Sequence, residues 1–217
     1  MGQYSSGADS TVSFAAGETS KTITLSVVQD ERFERYQENF EVNLSAPVGA
    51  TISKGRGVGS IIDDDTPVLA LTGPSTVTEG EATTSYAVTL DSTAGVGLSW
   101  GSRLSFTLDS AGDTATEGTD YTALMVNALQ PGANVFLVGT PTVDANGVIT
   151  VTVQTTGELA AGATLVSFPM QTTADVAFEG PETFNITLGG TTPIAAGKDV
   201  VTTTIVDNDT PVLALSG

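Results

Sequence analysis

Tyr86, Val88 and Leu90 alternate with Ser85, Ala87 and Thr89, and the same period of two runs through Leu104, Phe106 and Leu108 and through Ile149, Val151 and Val153. Such a period sends every second side chain to one face, so these segments predict half-buried β-strands. Ile23, Leu25 and Val27 predict another, as do Phe40, Val42 and Leu44. Turn formers separate the runs, for example Asp144-Ala145-Asn146-Gly147, and no helical stripe exceeds two turns. Many short, β-branched strands at turn-bounded spacing predict an all-β, antiparallel sandwich.

The pattern recurs. Asp63-Asp64-Asp65-Thr66-Pro67-Val68-Leu69-Ala70-Leu71-Thr72-Gly73 returns as Asp207-Asn208-Asp209-Thr210-Pro211-Val212-Leu213-Ala214-Leu215-Ser216-Gly217, nine of eleven positions identical at a period of 144. Glu38 to Leu44 matches Glu182 to Leu188 at the same offset. At an offset of 145, Asp30, Phe33 and Glu34 fall on Asp175, Phe178 and Glu179, and Ala15-Ala16-Gly17 on Ala160-Ala161-Gly162. These offsets predict two copies of one domain: residues 1–65 as the C-terminal part of a first, 66–209 as a complete one, and 210–217 as the first strand of a further repeat. The linker is almost absent, and Pro67 stiffens it, which predicts an extended array. Tyr121 to Ala160 is 28 residues longer than Tyr4 to Ala15. The surplus, near 130–156, predicts an inserted hairpin, either decoration or an individual binding feature.

Composition narrows the chemistry. Seven Lys plus Arg against 25 Asp plus Glu give a net charge of −18, which repels nucleic acid and anionic lipid heads, so no nucleic acid partner is expected. No apolar run is long enough to enter a membrane as a helix, and Met1 to Ser10 lacks the order of a signal peptide. Without Cys or His there is no disulfide framework, thiolate zinc site or Ser-His or Cys-His pair, and no enzymatic activity is expected. A glycosidase built on two carboxylates is the enzymatic alternative, but the acids cluster at domain ends, with no sign of a sugar cleft.

The run Gly118-Thr119-Asp120-Tyr121, the Phe14 to Thr19 segment, Asp30-x-x-Phe33-Glu34 with Glu38-x-Phe40, and the closing Ile61 to Asp65 together resemble Calx-β domains. The resemblance covers essentially the whole chain, with the motifs in order. It implies seven-stranded antiparallel, immunoglobulin-like sandwiches in tandem, and a carboxylate cluster at one end holding Ca2+. Carried over residue by residue, it places the metal ligands at Glu79, Asp120, Asp175, Glu179, Glu182, Asp207, Asn208 and Asp209. In the first copy it places them at Asp30, Glu34, Glu38, Asp63, Asp64 and Asp65. There are departures: Ala174 and Gln29 stand where calcium-binding members often have a second Asp, Asn208 interrupts the terminal acids, and Gln3 replaces the Asp before Tyr4. Fewer ions or weaker affinity follow from those losses.

The donor chemistry agrees independently, since calcium takes six to eight hard oxygens whereas zinc and copper want the absent His and Cys. Asp63 to Asp65 also read as a solubilising linker, and Asp113 and Glu117 as plain turn residues. Phe40, Phe184 and Tyr121 read as core, and Trp100 as a cap on the sandwich end or an exposed binding residue. The functional expectation is a calcium-stiffened structural or adhesive segment of a long extracellular or bacterial cell-surface protein. A regulatory calcium sensor, as in sodium/calcium exchanger loops, is the alternative. Expected partners are calcium ions and neighbouring repeats. Unpaired strands at both ends predict head-to-tail self-association by strand addition, with fraying as the alternative.

Overall fold

A computed structural model describes residues 11–34, 37–83 and 85–211. Its strands, in chain order, are β1 (Arg32–Phe33), β2 (Glu38–Asn43), β3 (Arg56–Ile61), β4 (Leu69–Thr72), β5 (Thr76–Thr78), β6 (Tyr86–Leu90), β7 (Gly97–Leu98) and β8 (Arg103–Gly112). They continue as β9 (Gln130–Pro131), β10 (Val135–Leu137), β11 (Thr142–Val143), β12 (Ile149–Thr155), β13 (Thr164–Phe168), β14 (Glu182–Gly189) and β15 (Val200–Val206). Among the described residues, no helix is long and apolar enough to cross a membrane.

Residues from β4 onward fold as two facing sheets, one ordered β10-β12-β8-β14-β15-β5 with β11 also on β12, the other β4-β6-β13-β9. The alternation read from the sequence is the burial pattern observed. Tyr86, Val88 and Leu90 from one sheet meet Phe106, Leu108, Ile149, Val151, Phe184 and Ile186 from the other in a single buried cluster. Tyr86 stacks on Phe168 and Tyr121 on Phe184, at centroid separations of 5.5 and 4.7 Å.

Seven strands were expected in this unit, and the two sheets hold eleven. The difference lies mostly in the surplus segment. It supplies β9 to the smaller sheet and extends the larger one by β10, β11 and β12. Thr142 pairs with Thr150 and Val143 with Ile149, and the Asp144 side chain accepts the Asn146 and Val148 N–H groups to close the turn. The hairpin is therefore part of the fold, because Ile149, Val151 and Val153 point into the core. The pairing is also not wholly antiparallel: β5 runs parallel to β15.

In the first copy, β2 and β3 form a hairpin that pairs Glu38 with Ile61, Phe40 with Gly59 and Val42 with Gly57. The register of β14 on β15 pairs Glu182 with Ile205, Phe184 with Thr203 and Ile186 with Val201, the same partners 144 residues on. Ile23, Leu25 and Val27, expected as a strand, form none beyond a single β-bridge at Val27, and all three are exposed. A strand of that pattern needs a second sheet to cover its apolar face, and none covers it among the described residues. Trp100 is 69% exposed and so buries no sandwich end. The repeat read at 210–217 lies mostly outside the described residues, as do Gln3 and Tyr4.

Candidate metal centre

Four segments meet at the end of the sandwich where β5 and β15 finish: the turn after β5, the Gly118–Tyr121 turn, the 173–182 loop and the chain after Val206. Gly118 has a φ of +86°, a conformation that suits glycine, and lets Asp120 fold back so that its Oδ2 accepts the Thr116 N–H at 2.5 Å. The Asp120 carbonyl then accepts the Thr173 N–H at 2.9 Å, tying this turn to the acidic loop. Glu79 accepts the Asp175 N–H at 2.7 Å, and Asp175 accepts that of Ala177 at 2.7 Å. Asp207 Oδ2 accepts the N–H groups of Glu179 and Gly180 at 2.7 and 2.9 Å, and its Oδ1 that of Asp209 at 2.7 Å.

This frame of amide donors brings seven carboxylates together. Those of Glu79, Asp207 and Asp209 form one triad and those of Asp120, Glu179 and Glu182 another, each with its oxygens within 4.8 Å of one another. Asp175 lines the same small cleft. The Asn208 side-chain amide donates to the Glu79 carbonyl at 3.0 Å, a strap between two of the converging segments.

The electrostatics show the cost of this convergence. Asp175 first, then burial and three further acids, push the Glu179 carboxyl up. Burial, with Asp120 next, pushes up Glu182, and burial followed by Glu79, Asp207 and Asp175 does the same to Asp209. Asp207 moves the other way, held down by the amides of Gly180 and Asp209. Asp209 Oδ2 is closed off from solvent with no hydrogen-bond partner. A buried carboxylate oxygen without a donor needs a proton or a cation. Every donor facing the cleft is a hard oxygen, the set that suits Ca2+.

The first copy repeats the frame. Asp63 Oδ2 accepts the Glu34 N–H at 2.5 Å and its Oδ1 the Asp65 N–H at 2.9 Å, as Asp207 does with Glu179 and Asp209. Asp30 accepts the Arg32 N–H at 3.0 Å, as Asp175 does that of Ala177. Glu38 opens β2 as Glu182 opens β14. The satisfaction differs: Asp65 Oδ2 also receives the Arg32 N–H at 3.0 Å, and Asp64 the Gln29 side-chain amide at 2.9 Å. The sequence named the acids but carried no signal for these amide donors, which are backbone groups of Gly180, Glu179 and Ala177.

A family model described as Calx-beta domain matches residues 3–59 and 63–140. Among solved structures, the chain is similar to CBD12 from CALX1.2, at 17% identity and a TM-score of 0.42 over 65% of this chain and 45% of that one. It is similar to the apo form of the Calx CBD1 domain, at 17% identity and a TM-score of 0.40 over 67% and 100% of the two chains. A third is a cohesin module from a Clostridium perfringens family 33 glycoside hydrolase, at 11% identity and a TM-score of 0.40 over 67% and 98%. This chain thus covers less than half of the CBD12 structure it matches. No curated protein matches it.

Proposed function

Because the chain belongs to the Calx-beta domain family, a family of calcium-binding domains, we propose that its carboxylate cleft binds Ca2+ and that the chain serves as a calcium-stiffened structural module. The observation that carries the reading is the solvent-shielded, unpartnered Asp209 Oδ2, whose carboxylate lies with those of Glu79 and Asp207. The two triads give two ion positions. Glu79, Asp207 and Asp209 hold one and Asp120, Glu179 and Glu182 the other, with Asp175 lining the same cleft. The matching hydrogen bonds of the first copy support residues 1–65 as the end of one such domain and 66–209 as the next. The first-copy acids Asp30, Glu34, Glu38, Asp63, Asp64 and Asp65 bind calcium more weakly, since Asp65 Oδ2 takes the Arg32 N–H where Asp209 Oδ2 has no donor.

An acidic, Cys-free domain repeated with hardly any linker suits a segment of a long extracellular bacterial fibre in calcium-rich surroundings. Calorimetric titration tests the reading. Calcium binds and raises the melting temperature, magnesium does so much less because it keeps its waters in a smaller octahedral shell, and Asp175→Ala with Glu179→Ala removes most of the effect. Identical melting in calcium and in chelator would overturn it.

A further inference from the structure

The loop that closes the first copy's acid cluster also lies along the next unit. There β1 pairs in parallel with β7, and the Gly97 N–H donates to the Glu31 carbonyl at 2.9 Å. The Ser99 N–H and the Ser102 hydroxyl donate to the Phe33 carbonyl at 3.1 and 2.9 Å. The Phe33 ring packs against the core cluster of the second unit, and the Ser99 hydroxyl donates to Glu34 at 3.3 Å. Arg32 adds an ion pair with Glu158 at 3.2 Å. Gly97 suits this slot, because a Cβ on it would lie 2.4 Å from the Leu159 carbonyl oxygen.

An offset of 145 turns Glu31, Arg32, Phe33 and Glu34 into Val176, Ala177, Phe178 and Glu179. The turn is the same, since the Ala177 and Glu179 N–H groups are held by Asp175 and Asp207 as those of Arg32 and Glu34 are by Asp30 and Asp63. Here the loop is uncovered: Phe178 is 60% and Val176 92% exposed. The contacts made in the first joint come chiefly from two backbone carbonyls, a Phe ring and a Glu carboxylate, and all four are present again. Only the Arg32–Glu158 ion pair has no counterpart, Ala177 standing in place of Arg32. The joint itself recurs, Asp63 to Pro67 as Asp207 to Pro211 with Asn208 the one change.

We propose that the exposed edge from Val176 to Glu179 is the docking face for the Gly97–Ser102 end of a further copy of this domain, following in the same polypeptide. The proposal rests on the repeat reading above and is independent of the calcium reading. To test it, the chain is extended past Asp209 by a second copy of residues 66–209, so that the new junction repeats 63–67. Amide hydrogen exchange is then read at Gly97 and Ser99 in both copies, with calcium and with chelator. Both slots should show protection within about tenfold of each other. Phe178→Ala removes only an exposed ring, so the unit stays folded, and it should speed exchange about tenfold or more in the second slot alone. A protected first slot beside an unprotected second one overturns the docking. So does protection in the second slot that Phe178→Ala leaves unchanged. Protection of both slots in a chain that fails to bind calcium upholds the docking and sinks the calcium reading instead.

Discussion

Replacing Glu182 by Gln should shift stability in opposite directions with and without calcium. The Glu182 carboxylate lies within 4.8 Å of those of Asp120 and Glu179. At that distance two unit charges repel by about 0.9 kcal/mol in a water-like medium and by about 3.5 kcal/mol at an effective dielectric of about 20. The cleft opens to solvent, so the lower figure applies, and relieving two such repulsions gives about 1–2 kcal/mol. Gln keeps the shape and adds a donor that Asp120 can accept. In chelator the variant should therefore gain about 1–2 kcal/mol, a rise of about 2–8 °C in melting temperature for a chain of this size. In calcium the same change removes a ligand and one of the charges that the ion neutralises, so the midpoint should fall. Scanning calorimetry of both proteins in both conditions reads the four midpoints. A Glu182 that merely packed at the start of β14 would lower both, and shifts of the same sign would refute the electrostatic argument.

Acid should act on the metal-free chain in two opposed ways. Glu179, Glu182 and Asp209 bind protons more tightly folded than unfolded, so their contribution is full below the ordinary carboxylate range and is lost as pH rises through their raised values. The metal-free melting temperature should thus rise as pH falls from neutral toward the ordinary carboxylate range, and that of the calcium-loaded chain should not; a flat metal-free profile counts against the shared cleft. Asp91 has the contrary sign. Lys198, at 2.8 Å, and the Thr93 hydroxyl hold its carboxyl well below the usual range, so its contribution is present at neutral pH and lost as pH falls below about 4. Asp91→Asn should flatten that acid limb and leave the calcium response intact, as melting curves against pH would show. Tyr86→Phe should cost about 1–2 kcal/mol, because the Thr203 hydroxyl donates to the Pro74 carbonyl at 2.8 Å and takes its own bond from the buried Tyr86 hydroxyl. An unchanged denaturant midpoint would show that Thr203 finds another donor.

The period of two made the sheets legible because both faces of the core are apolar on one side only. Leu104, Phe106 and Leu108 could sit in just one register without turning polar residues inward. Ile23, Leu25 and Val27 carry the same pattern and yet form no strand. Alternation reports a face that wants cover and says nothing of whether cover is there. The acids of the cleft were legible as types and positions, through the repeat and the motif order. Their division into two triads was not, since it depends on where the turns at Gly118 and Gly180 point the chain. Asn208 shows another limit: that its side-chain amide donates to the Glu79 carbonyl, leaving the oxygen of the same amide open to a cation, is not written in its place between two Asp residues.

Among the differences between the two copies, one oxygen bears most directly on the proposed calcium site. In both, an Asp at the end of the last strand is held by amides of the acidic loop: Asp63 by Glu34 and Asp65, Asp207 by Glu179, Gly180 and Asp209. Amide donors favour the ionised form of Asp207, whereas burial and neighbouring acids disfavour it at Glu179, Glu182 and Asp209. Two residues further on, the copies part. Asp65 Oδ2 has the Arg32 N–H, whereas Asp209 Oδ2 is buried with none. Asp209→Asn should accordingly weaken calcium binding about tenfold or more, because it places an uncharged group where the cation's charge was needed. Asp65→Asn should leave the tight binding constant unchanged and should loosen the Arg32–Glu34 loop, seen as faster amide exchange at Gly97 and Ser99. Equal losses of affinity in the two variants would mean that both sets of acids bind alike and that the donated Arg32 amide does not substitute for an ion.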